Sequence, residues 1–341
     1  MEVLTTFVAA GFAKAFKKLI ESYVDQRVKQ HFANPASIKT DFKPHLKATF
    51  DKCTKIKTVL DGTKPLNMLD IYAGQNFEIH KQHVDHYQLI ERIKNINDAY
   101  DNNAYVLTGT GGGGKSMFMR YLWISLFEDP RGKIPFFLEL RSFNKAKHSD
   151  LEDFIYQSVI KTGSTISKEN FTNGLRAGNF YLLLDGFDEV THDNRHELQA
   201  HIISLRENNP NVTLIISSRP DECFSGWNQF EIIKVLPLNE KQVRDLIKKA
   251  PFDKEKKTTF LNNLGSIYQT HESFLTTPLL AYMMLIAYAD NQNLPDLMVD
   301  FYEQAFGALF ERHDLMKNGY KRKLYCNLGR TEFKNLFLSF V

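Results

Sequence analysis

An eight-residue, glycine-rich segment constrains this sequence more than any other feature. Residues 109–116 read GTGGGGKS and lie between the apolar run Tyr105–Leu107 and the apolar stretch Met117–Phe127. The pattern G-x-x-x-x-G-K-[ST] between a strand and a helix is that of a phosphate-binding loop. Its backbone N–H groups must converge on phosphate oxygens, and only residues that tolerate positive φ and lack bulk allow this. The following helix directs its positive N-terminal end at the same anion.

This loop predicts a site for a nucleoside diphosphate or triphosphate. Lys115 can reach the β- and γ-phosphates, and the Ser116 hydroxyl can ligate Mg²⁺. The residues expected to surround the phosphates are Gly109, Thr110, Gly111, Gly112, Gly113, Gly114, Lys115, Ser116 and Met117.

Composition limits the setting in which such a site works. The chain has 341 residues, of which 43% are hydrophobic and 24% charged, as in a soluble protein of two or three domains. A net charge of +3 and lysine clusters interleaved with acids do not predict a nucleic-acid or membrane partner. Three widely spaced cysteines fit a reducing compartment. We expect a cytoplasmic protein.

The first part of the sequence predicts a small helical module, residues 1–75. Apolar residues recur with helical periodicity over residues 1–32, and Pro44 can open a second helix that runs to about Leu60. The apolar stripe of the first helix can pack against the rest of the protein, or it can bind a partner helix or a membrane. We favour internal packing.

Five short apolar runs follow this module and alternate with helical stretches. They are Ala104–Leu107, Ile134–Leu140, Phe180–Leu184, Val212–Ser217 and Phe230–Val235. Runs that are apolar at successive positions are typical of strands buried on both faces in a parallel sheet. We therefore predict an α/β fold with a five-stranded parallel sheet and helices on both faces, over residues 76–237.

Helical patterns replace the strands after Pro237. They cover Glu240–Lys249, Lys254–Leu264, Pro278–Ala289 and Asp300–Arg312. We predict a helical lid domain over residues 238–296.

The third apolar run ends in a second motif, LLLDGFDE, residues 182–189. A carboxylate at the end of a buried strand is where phosphate-loop NTPases hold Mg²⁺, which assigns that role to Asp185. Asp188 and Glu189 follow closely enough to orient an attacking water or to polarise Asp185. The fourth run ends in Ser218-Arg219-Pro220, and Arg219 there can face a γ-phosphate. Arg219 can equally be a surface arginine that pairs with a neighbouring acid.

Together these motifs resemble those of the NACHT family of STAND signalling NTPases, over residues 105–312. Many phosphate-loop ATPases that activate water carry Glu directly after the strand Asp. Here Gly186 follows, and the acidic pair comes later in the order small, apolar, Asp, Glu. The segment LIISSRP at the fourth run agrees with the family pattern.

The helical part carries the resemblance further. The segment TTPLL, residues 276–280, looks like the lid motif of the family, whose proline lies against the base. The resemblance therefore implies that Pro278 contacts adenine and that the ligand is ATP or ADP. Residues 302–314 resemble the start of a winged-helix domain, assigned to 297–341, within which we expect the chain to stop.

The resemblance implies a nucleotide-operated switch. ADP would hold the molecule closed, and exchange for ATP on sensing a trigger would open it and drive self-association. The expected setting is antiphage defence in a prokaryote, with a phage component as a candidate trigger and an unknown effector. The alternatives are a multiple-turnover ATPase that remodels nucleic acid or protein, and a scaffold whose nucleotide is structural.

Overall fold

The computed structural model describes residues 11–21, 41–60, 64–95, 103–145 and 150–290. These residues fall into two compact units. The first unit comprises those within Met1–Ile56 and Asn67–Pro237, and the second those within Lys57–Leu66 and Leu238–Val341. The division into four domains stays a prediction. The expected helix at 300–312 and the winged-helix assignment at 297–341 lie outside the described residues.

The core of the first unit is a seven-stranded sheet. Two short strands, β1 (Lys55–Ile56) and β2 (Leu66–Asn67), pair with each other and are not part of it. The strands of the larger sheet are β3 (Asn76–Ile79), β4 (Gln82–Asp85), β5 (Ala104–Thr108), β6 (Ile134–Glu139), β7 (Phe180–Asp185), β8 (Thr213–Ser218) and β9 (Glu231–Val235). The order across the sheet is β4-β3-β9-β5-β8-β7-β6. The five strands from β5 to β9 are parallel, whereas β3 pairs antiparallel with both β4 and β9.

The predicted α/β fold is confirmed, and its sheet is larger than predicted. Every residue of β5, β7 and β8 is buried, so both faces of these strands are covered. The two additional strands, β3 and β4, have only four residues each, and β4 is mostly exposed. Their turn uses His80 and Lys81 at positive φ instead of the glycine that signals a hairpin in a sequence. Because of these features, the sequence pattern does not predict the hairpin.

The order of the parallel strands decides which side chains meet. Strand β8 lies between β5, which leads into the phosphate loop, and β7, which ends at Asp185. Because the carboxyl ends of parallel strands share one edge, residues that follow β5, β7 and β8 converge there. On the far side of β7, Glu139 is the register partner of Asp185.

From residue 41 onward, seven α-helices in the described part of the first unit accompany the sheet. They are α1 (Lys43–Thr54), α2 (Met68–Ile71), α3 (His86–Lys94), α4 (Lys115–Glu128), α5 (Leu151–Ile160), α6 (Lys168–Arg176) and α7 (His192–Asn208). Helix α1 has Pro44 in its first turn, as expected, because a proline there lacks only an N–H that would be unpaired anyway. It ends at Thr54 and not near Leu60, since the chain turns into β1.

The N-terminal helical residues pack against the sheet domain. Residues 11–21 are helical, and the ring of Phe12 stacks on that of Phe127 in α4 with centroids 5.5 Å apart. Phe50 in α1 contacts Phe127 and Trp123 of the same helix at 5.9 and 6.5 Å. Burying aromatic side chains stabilises this arrangement by about 1.5–3 kcal/mol each. Internal packing therefore accounts for the apolar face within residues 11–21; the rest of the stripe predicted over residues 1–32 lies outside the described residues.

The described residues of the second unit from Leu238 onward form three α-helices joined by short connections. They are α8 (Glu240–Lys249), α9 (Lys254–His271) and α10 (Pro278–Asp290). All three begin at the predicted residues, and α9 continues seven residues beyond the predicted Leu264, to His271. Helix α8 starts at a capping box in which Asn239 and Gln242 bond each other's backbone N–H, which fixes its first residue. Within the described ranges, no helix combines the length and apolarity that crossing a bilayer requires.

Candidate functional site

The phosphate loop connects β5 to α4 and depends on glycine for its shape. Gly112 and Gly114 have φ values of +74° and +87°, which residues with a Cβ rarely adopt. Gly114 is the residue that caps α4, so the helix starts directly after it, at Lys115. At Gly109 a Cβ would lie 3.0 Å from the Cβ of Val235 at the end of β9. The predicted strand–loop–helix setting is therefore present.

The Lys115 ammonium folds over the loop. It donates to the carbonyl oxygens of Gly109 and Thr110, at 2.6 and 3.0 Å. Burial lowers the pKa of Lys115, while the carboxylate of Asp188 is the largest influence that opposes this shift. Phosphate oxygens carry full charge and accept more strongly than carbonyls. The ammonium is thus placed where the phosphates of a bound nucleotide would replace those carbonyls.

Asp185 lies next to the first residues of α4. The hydroxyl of Ser116 donates to its Oδ1 at 3.1 Å, and the hydroxyl of Ser217 donates to the same oxygen. Burial raises the pKa of Asp185; the two serine hydrogen bonds oppose this, and the charges of Glu139 and Glu189 add to it. The side-chain atoms that could coordinate a metal here are all oxygens, the ligands that Mg²⁺ prefers. A divalent cation would favour the ionised carboxylate, so Ser116 and Asp185 fit a magnesium site.

The acidic pair follows Asp185 in a single tight turn. Gly186 has φ +85°, and residues Phe187–Glu189 form one turn of 3₁₀ helix. Phe187 is fully buried against the rings of Phe224 and Trp227, with centroid distances of 5.6 Å. This anchor fixes the turn and leaves its two acidic residues at the strand edge.

Arg219 pairs with Asp188, across the gap between β8 and β7. Its Nε lies 3.1 Å from Oδ2 of Asp188, and its backbone N–H donates to Oδ1 at 3.1 Å. The neighbouring acid Asp221 lies 3.6 Å from a different arginine, Arg195. Nη2 of Arg219 is also 3.6 Å from where a Cβ on Gly111 would lie. The guanidinium therefore pairs with the acidic turn and lies beside the phosphate loop.

A second strand-end carboxylate, Glu139, belongs to the site and was not predicted. Burial disfavours its ionised form, but Lys52, Arg141 and Arg120 outweigh burial and lower its pKa. Lys52 and Arg120 lie 3.2 and 3.5 Å from Oε1, and Arg141 pairs with Oε2. The sequence offered one signal, since the second apolar run ends in Glu-Leu-Arg much as the third ends in Asp. Lys52 comes from α1, and no local pattern predicts that contact.

The structure thus brings together all predicted residues of the first unit. Pro278 is the first residue of α10 in the second unit, and its contact with adenine stays a prediction. The catalytic roles of Asp188, Glu189 and Arg219 also stay predictions.

Comparison with known families identifies one domain. Residues 103–253 match the NACHT domain. The match covers the phosphate loop, the acidic turn and Arg219. No curated protein sequence matches the chain significantly.

Several solved structures are similar to part of this chain. Domain III of the replication initiation protein DnaA from Thermotoga maritima is 14% identical, with a TM-score of 0.37, over 66% of this chain and 90% of its own. Cdc6p from Pyrobaculum aerophilum is 13% identical, with a TM-score of 0.38, and the match covers 61% of this chain and 62% of Cdc6p. The ORC1 protein from Aeropyrum pernix, solved in complex with DNA, is 14% identical, with a TM-score of 0.39, and the match covers 66% of this chain and 64% of ORC1.

Proposed function

We propose that this chain, whose residues 103–253 form a NACHT domain, is a nucleotide-operated signalling switch. It binds ATP or ADP with Mg²⁺, hydrolyses ATP slowly and self-associates in its activated state. The phosphates bind to the loop at residues 109–116 and to Lys115, and Ser116 and Asp185 hold the metal. Pro278 contacts the adenine.

The ion pair between Arg219 and Asp188 is the observation that carries this proposal. The pair stands beside Gly111 of the phosphate loop, so a γ-phosphate bound there competes with Asp188 for the guanidinium. ADP has no γ-phosphate and leaves the pair intact. The site can therefore distinguish the two nucleotides by one rearrangement.

The energies favour such a rearrangement. The side chains of Arg219 and Asp188 are 61% and 22% exposed. A pair this accessible to solvent is worth about 0–1 kcal/mol. A charge-assisted bond to phosphate is stronger than a neutral hydrogen bond and forms only with ATP. A ligand shifts a conformational equilibrium only through such differential contacts.

The acidic turn supports slow hydrolysis. Gly186, and not a carboxylate, directly follows Asp185, and Asp188 is occupied by Arg219. Glu189 is the other carboxylate of this turn and can orient an attacking water. A site in which one acidic residue is held in an ion pair and none directly follows the strand aspartate is better suited to slow hydrolysis than to rapid, repeated turnover.

The wider setting follows from the same proposal. The activated state is an oligomer of this chain, its trigger is a phage component, and its output is antiphage defence in the cytoplasm of a prokaryote. Neither nucleic acid nor membrane is a required partner. Cys53 and Cys223 are free thiols, in keeping with a reducing compartment.

Two measurements on one protein test the switch. Mass spectrometry of nucleotide released by denaturation should show ADP in the wild type and none in Lys115→Ala. Light scattering should show a larger particle with ATP than with ADP. Arg219→Ala should bind both nucleotides and lose this difference in size, whereas Arg176→Ala, which removes an exposed arginine at the end of α6, should keep it.

The opposing results are equally clear. Equal nucleotide content in the wild type and Lys115→Ala would refute the site. Fast turnover stimulated by DNA or RNA, with no change in size, would establish the remodelling ATPase instead. For the biological setting, cells that express the chain should resist phage, and cells that express Lys115→Ala should not.

A further inference from the structure

The segment that precedes the matched domain reaches the phosphate loop beside β3, the strand that pairs with β9. Strand β3 pairs with β9, and the N–H of Leu236 donates to the carbonyl of Asn76 at 2.9 Å. Strand β9 ends at Val235, the residue whose Cβ limits the room beside Gly109. The chain therefore enters β3 beside the loop.

Gln75 lies one residue before β3 and contacts the loop directly. Its side chain is buried, with the residue 3% exposed, and its Nε2 donates to the carbonyl oxygen of Gly113. The preceding Gly74 has φ +81°, and a Cβ there would lie 2.6 Å from the ring of His86. The backbone on both sides thus fixes where Gln75 stands.

The phosphate loop has a particular need for such a contact. Five of its eight residues are glycine, so ordering it costs more conformational entropy than ordering a loop of other residues. Gly113 is held at both of its polar groups, because its N–H also donates to the carbonyl of Thr110 at 3.2 Å. Of these two contacts, the one from Gln75 comes from outside the loop.

The remaining amide atom of Gln75 argues that this residue is not present for stability. Its Oε1 is buried and finds no hydrogen-bond partner among the residues that the structure describes. A buried acceptor without a partner is unfavourable, and an apolar side chain of the same size would avoid it. The contact with Gly113 supplies a reason for a glutamine at this position.

We propose that Gln75 is a positioning residue for nucleotide binding. By restraining Gly113 it orders the glycine-rich loop in advance, so that the loop N–H groups already face the position of the phosphates. The functional nucleotide site then begins upstream of residue 103, where the domain match starts. The effect on affinity rests on the nucleotide binding proposed above.

The test replaces Gln75 in the full chain with residues that cannot make the contact. Gln75→Met keeps the length of the side chain and removes its donor, and Gln75→Asn keeps the amide but is too short to reach Gly113. Gln82→Met is the matched control, because Gln82 is exposed on β4 of the same hairpin. The readouts are ADP affinity with its rate constants, and amide hydrogen exchange of residues 109–114 with and without ADP.

Both Gln75 variants should lower ADP affinity at least about fivefold, the factor expected for one net hydrogen bond, through slower association. Exchange in the loop should be faster than in the wild type without ADP and equal to it at saturating ADP. Unchanged affinity or unchanged loop exchange in Gln75→Met would overturn the inference. If the wild type bound no ADP, the proposed function would fail, and loop exchange in the nucleotide-free variants would still decide whether Gln75 orders the loop.

Discussion

Two carboxylates stand side by side at the ends of neighbouring strands and have opposite surroundings. Glu139 ends β6 and Asp185 ends β7, and the two are register partners. Glu139 is surrounded by three cationic side chains, and its pKa is lowered despite burial. Asp185 receives hydrogen bonds from two serine hydroxyls, and burial raises its pKa.

The difference shows where a charge from outside the protein is needed. The ionised form of Glu139 is already compensated by Lys52, Arg120 and Arg141. In the described part of the structure, the hydrogen bonds that favour the ionised form of Asp185 come from two neutral serine hydroxyls, so this form gains most from a bound divalent cation. We therefore propose that Glu139 stabilises the fold, whereas Asp185 binds the metal ion. Substituting each in turn should give opposite results.

The largest effect is expected for Asp185→Asn. The amide can still accept from Ser116 and Ser217, but it cannot compensate a divalent cation, so the Mg²⁺-dependent part of nucleotide affinity should fall by about 100-fold. Without nucleotide, the variant should be as stable as the wild type or more so, because a buried charge is gone. Calorimetric titration with ADP, with and without Mg²⁺, measures the first effect, and thermal unfolding measures the second.

The control for this prediction is binding without metal. ADP affinity in EDTA should be the same in the wild type and in Asp185→Asn, since the phosphate loop is unaltered. An equal loss of affinity with and without Mg²⁺ would show that Asp185 shapes the loop and does not hold the metal.

Glu139→Gln should have the reverse profile. Removing this carboxylate leaves three cations beside one another, which should lower the free energy of unfolding by about 1–3 kcal/mol. The Mg²⁺ dependence of ADP binding should persist, because Ser116 and Asp185 are retained. Chemical denaturation of the nucleotide-free protein measures the loss. A stable variant that no longer responds to Mg²⁺ would reverse the roles assigned to the two carboxylates.

The pH dependence separates the same two groups within the wild type. The raised pKa of Asp185 means that its carboxyl is protonated first as the pH falls, which weakens Mg²⁺ binding and removes an unfavourable buried charge. The lowered pKa of Glu139 means that its stabilising charge is present above the pKa of the unfolded state and is lost only as the pH falls through the folded value. Between about pH 8 and about pH 4, Mg²⁺-dependent affinity should therefore fall before stability does. Coincident losses, or a Mg²⁺ profile unchanged in Asp185→Asn, would contradict this assignment.

The contrast between Glu139 and Asp185 also shows which features of the structure the sequence could predict. The loop at residues 109–116 was predictable because its chemistry requires glycines at fixed spacing before Lys115 and Ser116. Asp185 was predictable because a carboxylate that ends a buried apolar run has few structural reasons to be there. The parallel sheet followed from runs without alternation.

Other features could not be predicted because they depend on contacts between distant segments. Lys52 lies 87 positions before its partner Glu139, and Gln75 lies 38 positions before Gly113. The sequence suggested two surroundings for Arg219, a γ-phosphate or a neighbouring acid, whereas the strand order brings Asp188 to it from another strand end. Local patterns carry no information about which strand lies beside which. The hairpin β3–β4 was missed for the same reason, because its pairing with β9 stabilises strands of marginal length.

The smallest effect concerns the contact between Glu139 and the N-terminal part of the chain. Lys52 is 42% exposed, so Lys52→Met should lower the free energy of unfolding by no more than about 1 kcal/mol. Lys55→Met is the matched control at the same helix end, since in the described structure Lys55 forms its ion pair with Asp51, at 3.4 Å. If Glu139 is held by three cations together, a double-mutant cycle of Lys52→Met with Glu139→Gln should show coupling, and the cycle with Lys55→Met should show none. Coupling of equal size in both cycles would mean that the free energy of unfolding depends on the total charge at the end of α1. It would then not depend on a specific interaction between Lys52 and Glu139.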